Sequence, residues 1–187
     1  MRVPVELRKA YKLINHGPTT LITSAHAGKV NIMAAAWVMA LDFDPPKLCA
    51  VIAGDTHTRG LVDASGAFVV NVPTRAQVDL TYAVGSESGR DVEKLSTRGI
   101  ATAPAATVEA PLVEGCAAWL ECKVVREPHN EKQYDLFIAQ VTAAWAEDRL
   151  FRNGEWHFER DEDRTLHHMA KGVFYMTGGR VEVSRRR

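Results

Sequence analysis

Apolar positions in this chain gather in short β-branched or alternating runs, with one opening segment of helical spacing. In that segment, residues 4–15, Val5, Leu7, Tyr11, Leu13 and Ile14 recur among charged positions, which predicts an amphipathic helix ended by Gly17-Pro18. "TTLITSAH" then reads as a strand and "AGKVN" as the turn into "VNIMAAAWVM". "AAWVMALDF" is a returning strand, stopped by "DFDPP", where paired prolines cannot donate to a ladder. "KLCAVIAG" is apolar on both faces, which predicts a central strand with Cys49 buried. Short turns between these strands favour antiparallel pairing over βαβ crossovers.

The pattern changes at "DTHTRGLVDASG". Asp55 and Thr56 or Thr58 are N-cap residues for a short helix, Leu61 and Val62 face inward, and Gly66 closes it. A strand "AFVVNVP", a short helix "RAQVDLTYAVG" and a glycine-hinged loop "SESGRDVEKLS" with a further helical turn follow. Residues 99–114 are loop-rich, with a short strand. "CAAWLECKVVREP" and "YDLFIAQVTAAWAEDRLF" have the length of a long hairpin joined through "HNEKQ", and "LHHMAKGVFYMTGGRVEVS" is an aromatic tail that packs on the barrel or on a partner. Six or seven strands with inserted short helices predict a mainly β, antiparallel barrel with decorating helices, one domain over residues 1–187.

Charge narrows the function. The chain has 23 basic and 23 acidic residues among 187, so no net field recruits nucleic acid or an anionic membrane. The terminal Arg185 to Arg187 reads as a solvated tail, as does the mixed-charge run "RDEDR" at 160–164. No apolar run reaches membrane-spanning length and no signal-peptide core opens the chain. Cys49, Cys116 and Cys122 form no CxxC pair, which fits a reducing cytoplasm better than a disulfide framework.

Two segments carry candidate chemistry. A helix start presents unsatisfied N–H groups, and here it also holds Thr56, His57, Thr58 and Arg59, the hydroxyls and guanidinium a phosphate needs. The plain alternative is a capped helix with a surface arginine. In "VNIMAAAWVM", strand alternation sends Asn31, Met33, Ala35 and Trp37 to one face and Ala34 and Ala36 to the other. Small side chains let a flat ring lie close to the backbone; the alternative is a small-residue strip where a helix crosses the sheet.

A third element joins them. The run T-x-x-L-x-x-x-S-G-x-F-x-x-N (Thr58, Leu61, Ser65, Gly66, Phe68, Asn71), the "SGRDVEKL" segment, the hairpin ending in N-x-M-x-x-x-W and the Pro-Pro turn stand in order over residues 17–95. Together they resemble the flavin reductase-like family, which includes flavoredoxins and the reductase components of two-component monooxygenases. The resemblance implies a Greek-key split β-barrel and a homodimer that binds FMN near the subunit interface. It also implies electron transfer from NAD(P)H, or from a redox partner, through the flavin, with a partner monooxygenase or redox protein as acceptor. By position, Asn31, Met33, Ala34, Ala35, Ala36 and Trp37 would line the ring and ribityl chain. Thr56, His57, Thr58 and Arg59 would meet the phosphate, with Lys94 as its second cation. Many members carry Ser or Thr where Ala34 and Ala36 stand, so hydroxyl contacts there are replaced by backbone donors, and Leu95 stands where an aromatic is usual. No dedicated catalytic acid or base is implied, because the cofactor carries the chemistry.

Competing readings are a flavoredoxin-type electron carrier and a non-enzymatic barrel holding flavin or haem, with His57 or His168 nominated as axial ligand. The His167-His168 pair has no third ligand beside it in sequence, so no metal site is expected. Ser24 and His26 lack the G-x-S-x-G elbow of a hydrolase. Trp119 and Trp145 read as barrel packing.

Overall fold

The computed structural model describes residues 1–183; the Arg185 to Arg187 run lies outside the described residues. Strand β1 (Arg2–Pro4) precedes a 3-10 segment over Leu7–Leu13, and β2 (Thr20–His26) and β3 (Lys29–Ala35) form a hairpin. Then come β4 (Val38–Phe43), β5 (Pro46–Val51), α1 (His57–Ser65), β6 (Ala67–Val72), α2 (Val78–Ser86) and α3 (Lys94–Thr97). Two short strands, β7 (Thr102–Ala103) and β8 (Leu112–Val113), pair within the following loop. The long strands β9 (Ala118–Val125) and β10 (Leu136–Glu147) flank α4 (Pro128–Tyr134). The chain ends in two small hairpins, β11 (Phe151–Arg152) with β12 (Glu155–Trp156) and β13 (Leu166–Ala170) with β14 (Val173–Met176).

The main sheet runs β3-β2-β6-β9-β10-β5-β4, with β1 added on β10 and every pairing antiparallel. Its two end strands, β3 and β4, are consecutive in the chain and joined only by Ala36 and Trp37. So short a link forces the sheet to curl until its ends meet, giving the expected split barrel with an unpaired seam between β3 and β4. Ile22, Leu48, Phe68, Leu120 and Phe137, all fully buried, fill the interior, each contributing roughly 1.5–3 kcal/mol by removal from water. On the outer face, Leu21, Ile32, Val69 and Trp119 pack under Val84 of α2 and under Ala110, Leu112 and Val113 of the loop.

Several expectations need correction. The opening segment is not one helix over 4–15. Only Leu7–Leu13 is helical, as a 3-10 segment, and Pro4 belongs instead to the strand Arg2–Pro4 that pairs with Trp145 to Glu147 of β10. "AAWVMALDF" begins its strand only at Val38, and β5 begins on Pro46, the first strand position where a missing N–H is tolerated. "HNEKQ" is a helix: Pro128 opens it and Asp135, at φ 54°, closes it. Strand β5 lies second from the end of the sheet path, not at its centre, and Cys49 is half-buried. On its outward face Cys49 and Val51 lie beside the exposed row Met39, Leu41 and Phe43 of β4, and Lys47 pairs with Asp42 at 2.9 Å. "RDEDR" is not all solvated: Asp163 is buried, with Arg149 at 2.6 Å and Arg160 at 2.8 Å. Those two guanidiniums hold its carboxyl far below the usual carboxylate range.

Candidate functional site

Helix α1 begins where β5 leaves the barrel and packs on β2 and β3. Its cap is Thr56, whose hydroxyl accepts from the Arg59 amide at 3.2 Å and donates to the Ala53 carbonyl at 2.8 Å. Thr58 is buried and accepts from Asn31 Nδ2 at 2.8 Å, which ties the helix start to β3 and leaves the Asn31 amide oxygen as an acceptor. These residues form one wall of a cleft of about 250 Å³. Asn31, Met33, Ala34, Asp55, Thr56, His57 and Thr58 lie on that side, and Val84 to Gly89 and Lys94 on the other.

Lys94 opens the four-residue α3, yet its side chain runs inward until the residue is only 3% exposed. Its ammonium donates to the Val84 carbonyl at 2.7 Å and the Ile32 carbonyl at 3.0 Å, using two of three protons. No carboxylate pairs with it among the described residues. Burial lowers its pKa, an effect that Glu87 opposes and Arg98 reinforces. His57 is lowered as well, first by desolvation and then by the charges of Arg90, Lys29 and Lys94. Lys94 and His57 thus share the cleft lining with the carboxylates Asp55 and Glu87, while Arg90 and Lys29 add positive charge near His57.

A second cavity, about 330 Å³, adjoins the first through the shared residues Ala34, Gly85 and Ser86. Ala34, Ala35 and Ala36 form its floor, Thr81 and Tyr82 of α2 one wall, and His168, Lys171 and Phe174 of the C-terminal hairpin the other. A Cβ added at Gly85 would stand 3.0 Å from the Ala34 Cβ, so α2 lies tight against β3 there.

Most of the sequence-selected residues thus meet in these two cavities: Asn31, Met33, Ala34, Ala35, Ala36, Thr56, His57, Thr58 and Lys94. Trp37 and Arg59 do not line them. Trp37 follows the end of β3 and is 74% exposed, because the strand alternation that would have turned it inward stops at Ala35. Arg59 points to the opposite side of α1. Its guanidinium donates to Asp63 at 2.9 Å, Asp135 at 2.9 Å, the Glu131 carbonyl at 2.9 Å and the Ile52 carbonyl at 3.3 Å, and sits 4.7 Å from the Phe137 ring centroid. Asp63, four residues on, was the sequence signal for that role. Sequence reasoning missed Ser86, Ser88, Gly89 and the cations Arg90 and Lys29. The first four stand in or beside the "SGRDVEKL" motif already singled out. His168, nominated for haem, bonds through Nε2 to the Lys171 carbonyl at 2.8 Å, and His167 bonds to the Gly17 carbonyl and to Thr177.

A curled antiparallel barrel with a polar cleft at the start of α1 and a small-residue shelf beside it is a split barrel. The model of the flavin reductase like domain matches residues 14–173, and the chain belongs to that family. It resembles the FMN-binding domain of a flavin reductases-like enzyme from Shewanella baltica OS155, with a TM-score of 0.96, 47% identity and 98% of each chain covered. The protein YddH of Escherichia coli (strain K12) is 41% identical over 182 residues, 96% of either chain. HsaB of Mycobacterium tuberculosis, the reductase subunit of a flavin-dependent monooxygenase, is 26% identical over 154 residues, 80% of this chain and 79% of its own. No helix of the described residues is long and apolar enough to cross a membrane.

Proposed function

We propose that this protein is an FMN-binding oxidoreductase that passes electrons from NAD(P)H, or from a redox partner, through a bound flavin. The observation that carries this reading is Lys94, a buried ammonium held by carbonyls alone beside a cleft near which Arg90 and Lys29 add further positive charge. A buried cation without a counter-ion is costly, and a dianionic phosphate in the cleft would supply one. An FMN phosphate carries nearly two negative charges, and the residues fit it without a metal: Lys94 and His57 for charge, Thr58 and the first amides of α1 for hydrogen bonds. The adjoining shelf of Ala34 to Ala36 leaves room for a flat ring between Tyr82 and Phe174.

The flavin, when bound, supplies the hydride and single-electron chemistry. This chain's residues hold its charge, set the ring's position and limit water around it. The homology to the monooxygenase reductase subunit HsaB supports a role in supplying reduced flavin to a partner oxygenase. The exposed apolar row Trp37, Met39, Leu41 and Phe43 along edge strand β4 supports a homodimer, since a lone subunit would leave that edge in water. A cytoplasmic location agrees with three free cysteines.

The test is a visible spectrum of the purified protein, mass identification of any released cofactor, and NADH and NADPH oxidation with and without added FMN. Flavin absorbance with nicotinamide oxidation stimulated by free FMN is the expected result. Flavin absorbance with no nicotinamide oxidation would replace the reductase with an electron carrier. A protein that stays colourless and takes up no flavin would end the proposal.

A further inference from the structure

We propose that residues 86–93 form a fixed strap across the phosphate half of the cleft, with Arg90 as its latch. The site then prefers a flavin whose tail ends in a phosphate monoester, FMN, over one whose phosphate carries a further nucleotide, FAD. This rests on the flavin reading above and adds the specificity of the same site.

Four contacts fix the strap. Ser86, the last residue of α2, lines the cleft, and Glu87 accepts from Arg98 Nε at 3.0 Å, joining the strap's start to the end of α3. In the middle, the amides of Asp91 and Val92 both donate to the Ser88 carbonyl at 3.1 Å, and the Arg90 amide donates to the Ser88 hydroxyl at 3.2 Å. Gly89 lies directly on the far wall: a Cβ there would collide with the Asn31 amide oxygen and stand 3.0 Å from His57 Cδ2. Beyond it, the Arg90 guanidinium donates to the main-chain carbonyl of Asp55, the residue just before the α1 cap. The strap therefore leaves α2, touches β3 and α1, and returns to the barrel through buried Lys94.

A phosphate beside Lys94, His57 and Thr58 faces this closed end. A monoester can stop there. A diphosphate must run on past Arg90 and Asp55, which requires the latch to open. It would also bring a second negative charge against the Asp55 carboxylate, which lines the cleft and makes no ion pair among the described residues. Both effects, one steric and one electrostatic, disfavour the longer tail.

The experiment titrates the flavin-free protein with FMN, FAD and riboflavin, following flavin fluorescence, in the wild type, Arg90→Ala and Asp55→Asn. The Asp55→Asn change keeps the main-chain carbonyl that the latch uses, and circular dichroism confirms that each variant is folded. We expect FMN to bind about tenfold or more tighter than FAD in the wild type, and that ratio to fall to about threefold or less in Arg90→Ala, with a smaller fall in Asp55→Asn. Equal FMN and FAD affinities in the wild type would overturn the strap's role while leaving the flavin reading intact. So would a ratio unchanged in both variants. Failure of all three flavins to bind would overturn both.

Discussion

The two sides of helix α1 hold cations in opposite circumstances. On the outer side, Arg59 is enclosed by two carboxylates, two carbonyls and an aromatic face, so its charge is matched by the protein itself. On the cleft side, Lys94 is more deeply buried and has only two carbonyls. The first arrangement is complete, and removing a partner can only loosen the fold. The second is completed, in the proposed function, by an anionic ligand. Glu121 is a third case that calibrates the other two. It is a fully buried carboxylate, but the amides of Ala106 and Thr107, the Thr107 hydroxyl and the Trp145 indole N–H all donate to it. Although burial alone would raise its pKa, those donors leave it lowered. A buried charge is thus structural or functional according to who satisfies it, not according to its type.

The largest expected effect breaks the complete side. Arg59→Ala strands Asp135 and the Glu131 carbonyl at the junction of α1, α4 and β10. With its partner carboxylates 39% and 46% exposed, the loss is discounted to about 2–3 kcal/mol of unfolding free energy. Urea denaturation measures it. Flavin affinity of the folded variant should change less than about threefold. An affinity loss as large as that of a cleft variant, with stability untouched, would reverse the assignment of the two sides.

How much of this was legible in the sequence follows from what each feature depends on. Strands β2, β3, β6, β9 and β10 were readable because β-branched and apolar runs bounded by turn residues are a local strand signal. The α1 cap and its Gly66 stop, at φ 67°, were readable because they involve residues adjacent in the chain. The residues lining the cleft were mostly readable through ordered motifs. What those motifs could not reveal was side-chain direction. Arg59 reaches Asp135, 76 residues away, and Lys94 reaches the Ile32 carbonyl, 62 residues away. Both partners depend on sheet order, which no local pattern encodes. Trp37 failed for a related reason: alternation was carried two residues past the point where β3 ends. The α4 helix was missed because its short polar sequence resembles a loop, and only the Pro128 start marks it.

A sharper form of the comparison substitutes Lys94 with Met, which keeps the stem and removes the charge. Apo-protein stability should hold or rise, because losing a desolvated ammonium with no counter-ion outweighs leaving the Val84 and Ile32 carbonyls without their lysine donor. Flavin affinity should fall by about tenfold or more, roughly 1.4 kcal/mol. The two readouts moving in opposite directions would be a signature that no purely structural lysine gives. A variant that loses stability and keeps its flavin affinity would make Lys94 a second Arg59.

The smallest effect concerns protons. In the free protein the His57 pKa is lowered by desolvation and then by Arg90, Lys29 and Lys94, so near neutral pH the ring is predominantly uncharged. A phosphate dianion beside it would offset those positive neighbours and raise the pKa in the complex. Binding then takes up a proton. By linkage, His57 strengthens binding fully at pH below its free-state pKa, and the gain is lost as pH rises through its complexed pKa. The ligand's own phosphate opposes this, because its second ionisation lies near pH 6 and the dianion fades on acidification. The useful quantity is therefore the ratio of FMN dissociation constants, His57→Gln over wild type, in which the ligand's titration cancels. That ratio should grow by about threefold from pH 8 to pH 6, under 1 kcal/mol, and should stay flat for riboflavin, which has no phosphate. A ratio that is level for FMN as well would detach His57 from the phosphate and leave Lys94 as the charge that holds it.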